Sequence, residues 1–134
     1  MNSKKLDIEN ISFYWRNEAK EALEVAGHLF EKEDYSYALF FGHLALEKLL
    51  KALFVERKKD HAPPIHNLYR LSKLANIQQN ENQKSTLMLV TSFNIEARYP
   101  DIQRSFRRKC TKEFTQTQME KIKELFAWLK TLKK

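Results

Sequence analysis

The sequence predicts an all-α fold, an up-and-down bundle of four to five helices. Three observations carry that expectation. Apolar residues recur at spacings of three and four through most of the 134 positions, the period of a helix face. Only two glycines and three prolines occur, where average usage would supply about nine and seven. Hydrophobic residues make up 43% and include sixteen aromatics, too apolar for a disordered chain. Sandwiches and barrels need frequent turn residues, and dinucleotide-binding and Walker folds need a glycine-rich loop, so these classes are excluded. The length suits one domain, expected to span residues 1–134.

Each element follows from its own residues. Ile8, Ile11, Trp15, Ala19, Ala22, Ala26, Leu29 and Phe30 fall on one face of a helix over 8 to about 31. The polar run EKED ends it, and Asp34 is placed to cap the next helix, about 35 to 58. That second helix is apolar around most of its circumference. Ala38, Phe41, Ala45 and Ala52 lie on one side, and Leu39, Leu46, Leu49, Leu50 and Leu53 widen the stripe. Such a helix sits at the centre of a bundle, or packs on its own domain and a partner chain together, and a homodimer is expected on that ground. Pro63 and Pro64 then force a loop. A short helix of about 67 to 77 carries Leu68, Leu71, Leu74 and Ala75. Asn80 with Gln83 has capping-box spacing for a helix of about 81 to 97. Pro100 interrupts it, and the basic stretch that follows has no clean period and reads as a loop. Thr115 with Gln118 has the same capping spacing, ahead of a last helix through Met119, Ile122, Leu125, Phe126, Leu129 and Leu132.

Charge and cysteine narrow the function. The net charge is +7, and residues 98–112 hold six basic residues against Asp101 alone. Arg104, Arg107, Arg108 and Lys109, with Phe106, form a candidate phosphate-contacting surface; the bland alternative is a solvated or partner-facing basic face. Cys110 is the single cysteine, which excludes an intrachain disulfide and a cysteine metal cluster. Its basic neighbours could lower its thiol pKa, but an incidental surface thiol is the expectation. The first ten residues lack an apolar segment, and the longest uncharged run, twelve residues from Tyr35, is short of the ~20 that span a bilayer. A cytoplasmic protein without a membrane role or cofactor is expected.

Polar chemistry concentrates on the second helix. His43, Glu47 and Lys51 recur at intervals of four, with Lys48 beside them. An imidazole, a carboxylate and an ammonium on one stripe could serve metal or catalytic chemistry. One His and one Glu are half of a metal set, however, and no metal site is expected. The simpler expectation is a solvated seam of i, i+4 pairs, each worth about 0.2–0.5 kcal/mol. His66, after the double proline, is either a pocket residue or a helix-start packer.

The order of these motifs is distinctive. ALFFGHLALEKLLKA over 38–52, then Pro64, His66 and Leu68, then Arg98-Tyr99-Pro100-Asp101, resembles the HEPN domain, the higher eukaryotes and prokaryotes nucleotide-binding domain. The resemblance covers nearly the whole chain. It implies a helical bundle, usually a homodimer, acting beside nucleotides or RNA. It further implies a minimal nucleotidyltransferase as partner, in a toxin–antitoxin or regulatory pair. Ribonuclease members carry Arg-x4–6-His, acting across a dimer cleft. Here all four histidines precede Arg98, so the resemblance implies a non-catalytic member. The alternatives are a divergent RNA-cleaving toxin and a purely structural dimeric adaptor. The candidate nucleotide site is His43, Glu47, Lys48, Lys51, His66, Arg98 and Asp101. In it Lys48, Lys51 and Arg98 would hold phosphate, and Asp101 or Glu47 would orient them.

Overall fold

The computed structural model describes residues 6–132, so the ends of the expected 1–134 domain, residues 1–5 and 133–134, lie outside the described residues. Six helices and no strand occupy it: α1 (Ile8–Glu31), α2 (Tyr35–Lys58), α3 (Leu68–Leu74), α4 (Glu81–Arg98), α5 (Pro100–Lys109) and α6 (Lys112–Thr131). The all-α bundle is as the periodicity predicts, with one helix more.

Local chemistry sets the boundaries. Asp7 accepts from the Asn10 backbone N–H at 3.2 Å and starts α1. Glu33, at φ 66°, reverses the chain into α2. Asp34 occupies the N-cap of α2, but its side chain takes no capping bond. Asn80 and Gln83 form the full reciprocal box at 2.8 and 2.9 Å. The last helix begins earlier than expected. Thr111, not Thr115, caps it, accepting from Phe114 N–H at 3.1 Å, and Thr115 lies fully buried inside the helix.

The basic stretch is the main correction. It is a helix, because Pro100 stands at the first helical position, where its missing donor costs nothing and its fixed φ helps. Its period is illegible because Phe106 is its one buried residue. Phe106 packs against Phe93 of α4, 5.6 Å between ring centroids. Gln103 Nε2 donates to the Ala97 carbonyl at 3.0 Å, and Arg107 donates to the Tyr37 hydroxyl at 3.0 Å. Cys110 is also corrected. It is buried rather than a surface thiol, and burial pushes it up to about 11 despite Lys109.

α2 is the central element and packs on α1, α3, α4 and α6. Ala38, Leu39, Ala45, Leu46, Leu49, Leu50 and Leu53 are all within 1% of full burial. Most of its apolar surface is thus covered by its own chain, while Phe40, Phe41, Leu44 and Phe54 stay only partly buried. Gly42 lies where α6 crosses: a Cβ there would stand 2.7 Å from Ile122 Cδ1. Among the described residues no helix is long and apolar enough to cross a membrane.

Candidate functional site

The stripe His43–Glu47–Lys51 is not a solvated seam. The three residues are 0%, 5% and 6% exposed. They point toward the segment after the double proline and toward α4, because the apolar faces around them already hold α2 in the middle of the bundle.

His43 joins two elements. Its Nε2 lies 2.9 Å from the His66 carbonyl oxygen, and its Nδ1 lies 3.4 Å from Asn94 Nδ2. Arg98 Nη1 donates to Asn94 Oδ1 at 3.3 Å. That bond fixes which end of the Asn94 amide faces Arg98, so the Asn94 nitrogen faces His43 and donates. Nδ1 of His43 is therefore the acceptor, and Nε2 carries the proton it gives to His66. The ring is neutral, and burial lowers its pKa, opposed by the His66 bond and the Glu47 charge. The 3.8 Å approach of Glu47 Oε1 to Nδ1 is then no ion pair.

Glu47 is the hub. Lys51 Nζ donates to Oε2 at 2.9 Å and also stands 5.3 Å over the Trp15 ring. His66 Nδ1 lies 3.1 and 3.2 Å from the two carboxylate oxygens. The His66 side chain is 57% exposed, so a ring anchored at one nitrogen presents the other to solvent.

Five expected site residues thus join one network: His43, Glu47, Lys51, His66 and Arg98. Two do not. Lys48 turns to α1 and pairs with Glu18 at 3.0 Å. Asp101 is exposed on α5 and makes no ion pair among the described residues, so it orients none of the cations. Asn94 is the member that sequence reasoning missed. Its signal was a polar residue on the buried face of α4, four positions before Arg98.

The basic surface is present but looser. Arg104, Arg107, Arg108 and Lys109 are all exposed on α5. Arg107 stacks over Tyr37 at 5.5 Å, and Lys109 stands 5.6 Å over Phe114. A groove of about 570 Å³ between α4 and α6, walled by Leu89, Lys121, Leu125 and Trp128, shares no residue with the network. Among the described residues no group of acidic, His and Cys side chains could hold a metal ion.

Comparison with known proteins bears on the fold and the family. The crystal structure of TT1696 from Thermus thermophilus shares the fold, with a TM-score of 0.74 over 89% of this chain and 95% of that one, at 20% identity. No curated protein matches the chain significantly. The sequence profile of the HEPN domain matches residues 13–132. That span holds every helix of the bundle except the first turns of α1, and with it the whole network: the chain belongs to the HEPN domain family.

Proposed function

We propose that the protein binds a phosphate-bearing ligand, a nucleotide or an RNA backbone, at the rim formed by His66 and Arg98. One observation carries this reading. Residues 32 positions apart in sequence are tied into one hydrogen-bond chain, Arg98–Asn94–His43–His66, and both end groups reach the surface. The inner part is electrically closed, with Lys51 opposite Glu47 and His43 neutral. The outer part, the exposed Arg98 guanidinium, offers donors to an anion, and the second His66 nitrogen donates only in the doubly protonated ring, because Nδ1 faces the Glu47 carboxylate. The reading assigns the protein a regulatory role, as a cytoplasmic partner of a minimal nucleotidyltransferase. Family membership and the exposed Arg98 guanidinium support that role.

A second reading has one observation in its favour. A buried carboxylate holding one imidazole nitrogen, with the other exposed, is the arrangement of a general base. It favours RNA cleavage with His66 taking the 2′-hydroxyl proton and Arg98 balancing phosphate charge.

Calorimetry with ATP and GTP at low salt tests the first reading, and a metal-free single-stranded RNA assay tests the second. We expect weak, salt-sensitive binding, reduced about tenfold or more by Arg98→Ala and His66→Ala, with no cleavage. Absence of binding, with both substitutions acting only on the melting temperature, would make the network structural. RNA cleavage lost in either variant would establish the second reading instead.

A further inference from the structure

The first turn of α2 is left open. Asp34 stands at the N-cap without a capping bond, and the backbone N–H groups of Tyr35, Ser36 and Tyr37 meet no acceptor among the described residues. A cavity of about 250 Å³ lies against this turn, and Glu33, Asp34, Arg107 and Cys110 complete its wall.

Ser36 points to a ligand independently of the helix end. It is 7% exposed, yet its hydroxyl has no hydrogen-bond partner among the described residues. The sealed, unpaired side-chain atoms among those residues are Thr115 Oγ1 and Gln118 Oε1. The Ser36 oxygen is unpaired but not sealed, and what it opens on is the cavity it lines. A hydroxyl buried to this degree is costly unless something meets it. Arg107 adds further donors. It gives one N–H to the Tyr37 hydroxyl at 3.0 Å, and the rest of its fork has no acceptor among the described residues.

The charges around the cavity select the ligand. Donors on one side suit an anion, but Glu33 and Asp34 set two negative charges against the single charge of Arg107. A simple cation fares no better, because it meets Arg107 and the positive end of α2. Cys110 adds no charge, since burial pushes its thiol up to about 11. Only a ligand carrying both signs satisfies both sides. Glu33 and Asp34 directly precede Tyr35–Tyr37 in the chain, so the two charges of the ligand must lie close together. A carboxylate and an ammonium on one carbon meet that condition. The acidic side is also held in place: Glu33 N–H donates to the Phe30 carbonyl at 3.0 Å and Asp34 N–H to the Leu29 carbonyl at 2.8 Å. The volume is below the ~300–1,000 Å³ usual for larger ligands, which suits one small molecule.

We propose that this cavity binds a free α-amino acid, its carboxylate on the Ser36 and Tyr37 N–H groups, the Ser36 hydroxyl and Arg107, and its ammonium on Glu33 and Asp34. The site shares no residue with the His66–Arg98 rim and does not depend on that rim binding anything.

Backbone amide NMR of the whole chain, titrated with glycine and with L-alanine, tests this, with circular dichroism as the folding control. We expect saturable movement of the Ser36 and Tyr37 amide signals, and acetate or methylamine alone to bind about tenfold more weakly. Ser36→Ala should weaken glycine about fivefold and leave the melting temperature unchanged or higher, because the hydroxyl it removes has no partner in the chain. Glu33→Gln with Asp34→Asn should weaken glycine and tighten acetate, a reversal that a structural role for the two acids would not produce. Silence of both amides toward both amino acids would overturn the proposal, since the recognised charges are common to the class. So would acetate or inorganic phosphate binding the native chain as tightly as glycine, which would make this a plain anion site.

Discussion

Two carboxylates are buried on α2, nine residues apart, and the chain treats them differently. Glu56 is 2% exposed and closed from every side the structure describes. Arg16 reaches it with Nε at 2.6 Å and Nη2 at 2.8 Å, a bidentate fork, and the Ser12 hydroxyl donates to the same carboxylate. The fork raises the Arg16 pKa against the opposing effect of burial. Glu47, equally deep, is closed on one side by Lys51 and left on the other to an imidazole that stands in solvent. The first arrangement fastens α1 to α2. The second spends the same kind of burial on a side chain that can meet a ligand. Burial of charge alone therefore does not distinguish the two clusters; the exposed end of the hydrogen-bond chain does.

The contrast can be broken by substitution. Arg16→Ala opens the closed cluster by removing two charge-assisted bonds at once, and we expect a loss of about 3 kcal/mol in stability, below that of a fully buried pair because Arg16 is 34% exposed and screened by solvent. Lys51→Met removes one such bond from a carboxylate that still has His66, so about 1.5–3 kcal/mol is expected. Urea unfolding of both variants gives the order directly. If Lys51→Met costs as much as Arg16→Ala, the two clusters are equally structural and the distinction fails.

Acidity sharpens the same contrast, with a smaller effect. His43 has a folded-state pKa below its ordinary 6.5, so the unfolded chain takes up a proton that the folded chain refuses. The stabilising contribution is complete above 6.5 and is lost as pH falls from there toward the folded value. The slope approaches about 1.4 kcal/mol per pH unit while only the unfolded state is protonated. Glu47, Lys51, Asn94 and the His66 carbonyl are the groups that face the ring, and none lets a second proton in without displacing a bond. Melting temperatures from pH 7.5 to 5.5 should fall more steeply for the native chain than for His43→Gln. Parallel curves would show that His43 is not what refuses the proton.

Much of this was legible in the residues, for physical reasons. α1 and α2 were readable because long apolar faces bury continuously, and the Asn80–Gln83 box because a cap is a local interaction. α5 was not, since a helix that buries Phe106 alone leaves no period to read. His43, Glu47 and Lys51 were visible as a stripe, but their depth was not. Spacing puts residues on a common face, and only packing by α4 and the 62–67 segment decides that the face is interior. Lys48 and Asp101 were misplaced for the same reason: one position of helical rotation turns Lys48 toward α1, and the α5 helix carries Asp101 outward. Asn94 went unread because a lone amide has meaning only once its neighbours across the fold are known.

The close crossing at Gly42 has a kinetic consequence. α1 and α2 are joined by three residues, so their long shared interface forms between neighbours in the chain at little loop-closure cost. α6 reaches the Gly42 face only after the intervening helices, and its contact with Ile122 spans 80 positions. The hairpin should therefore be organised in the folding transition state while the α6 seam is still open. Ile122→Val would then speed unfolding and leave the folding rate almost untouched, a division that the two limbs of a denaturant chevron separate. Equal movement of both limbs would place the seam in the nucleus. On this account the last helix closes the bundle and sets how long the protein stays folded, while the first two decide how quickly it gets there.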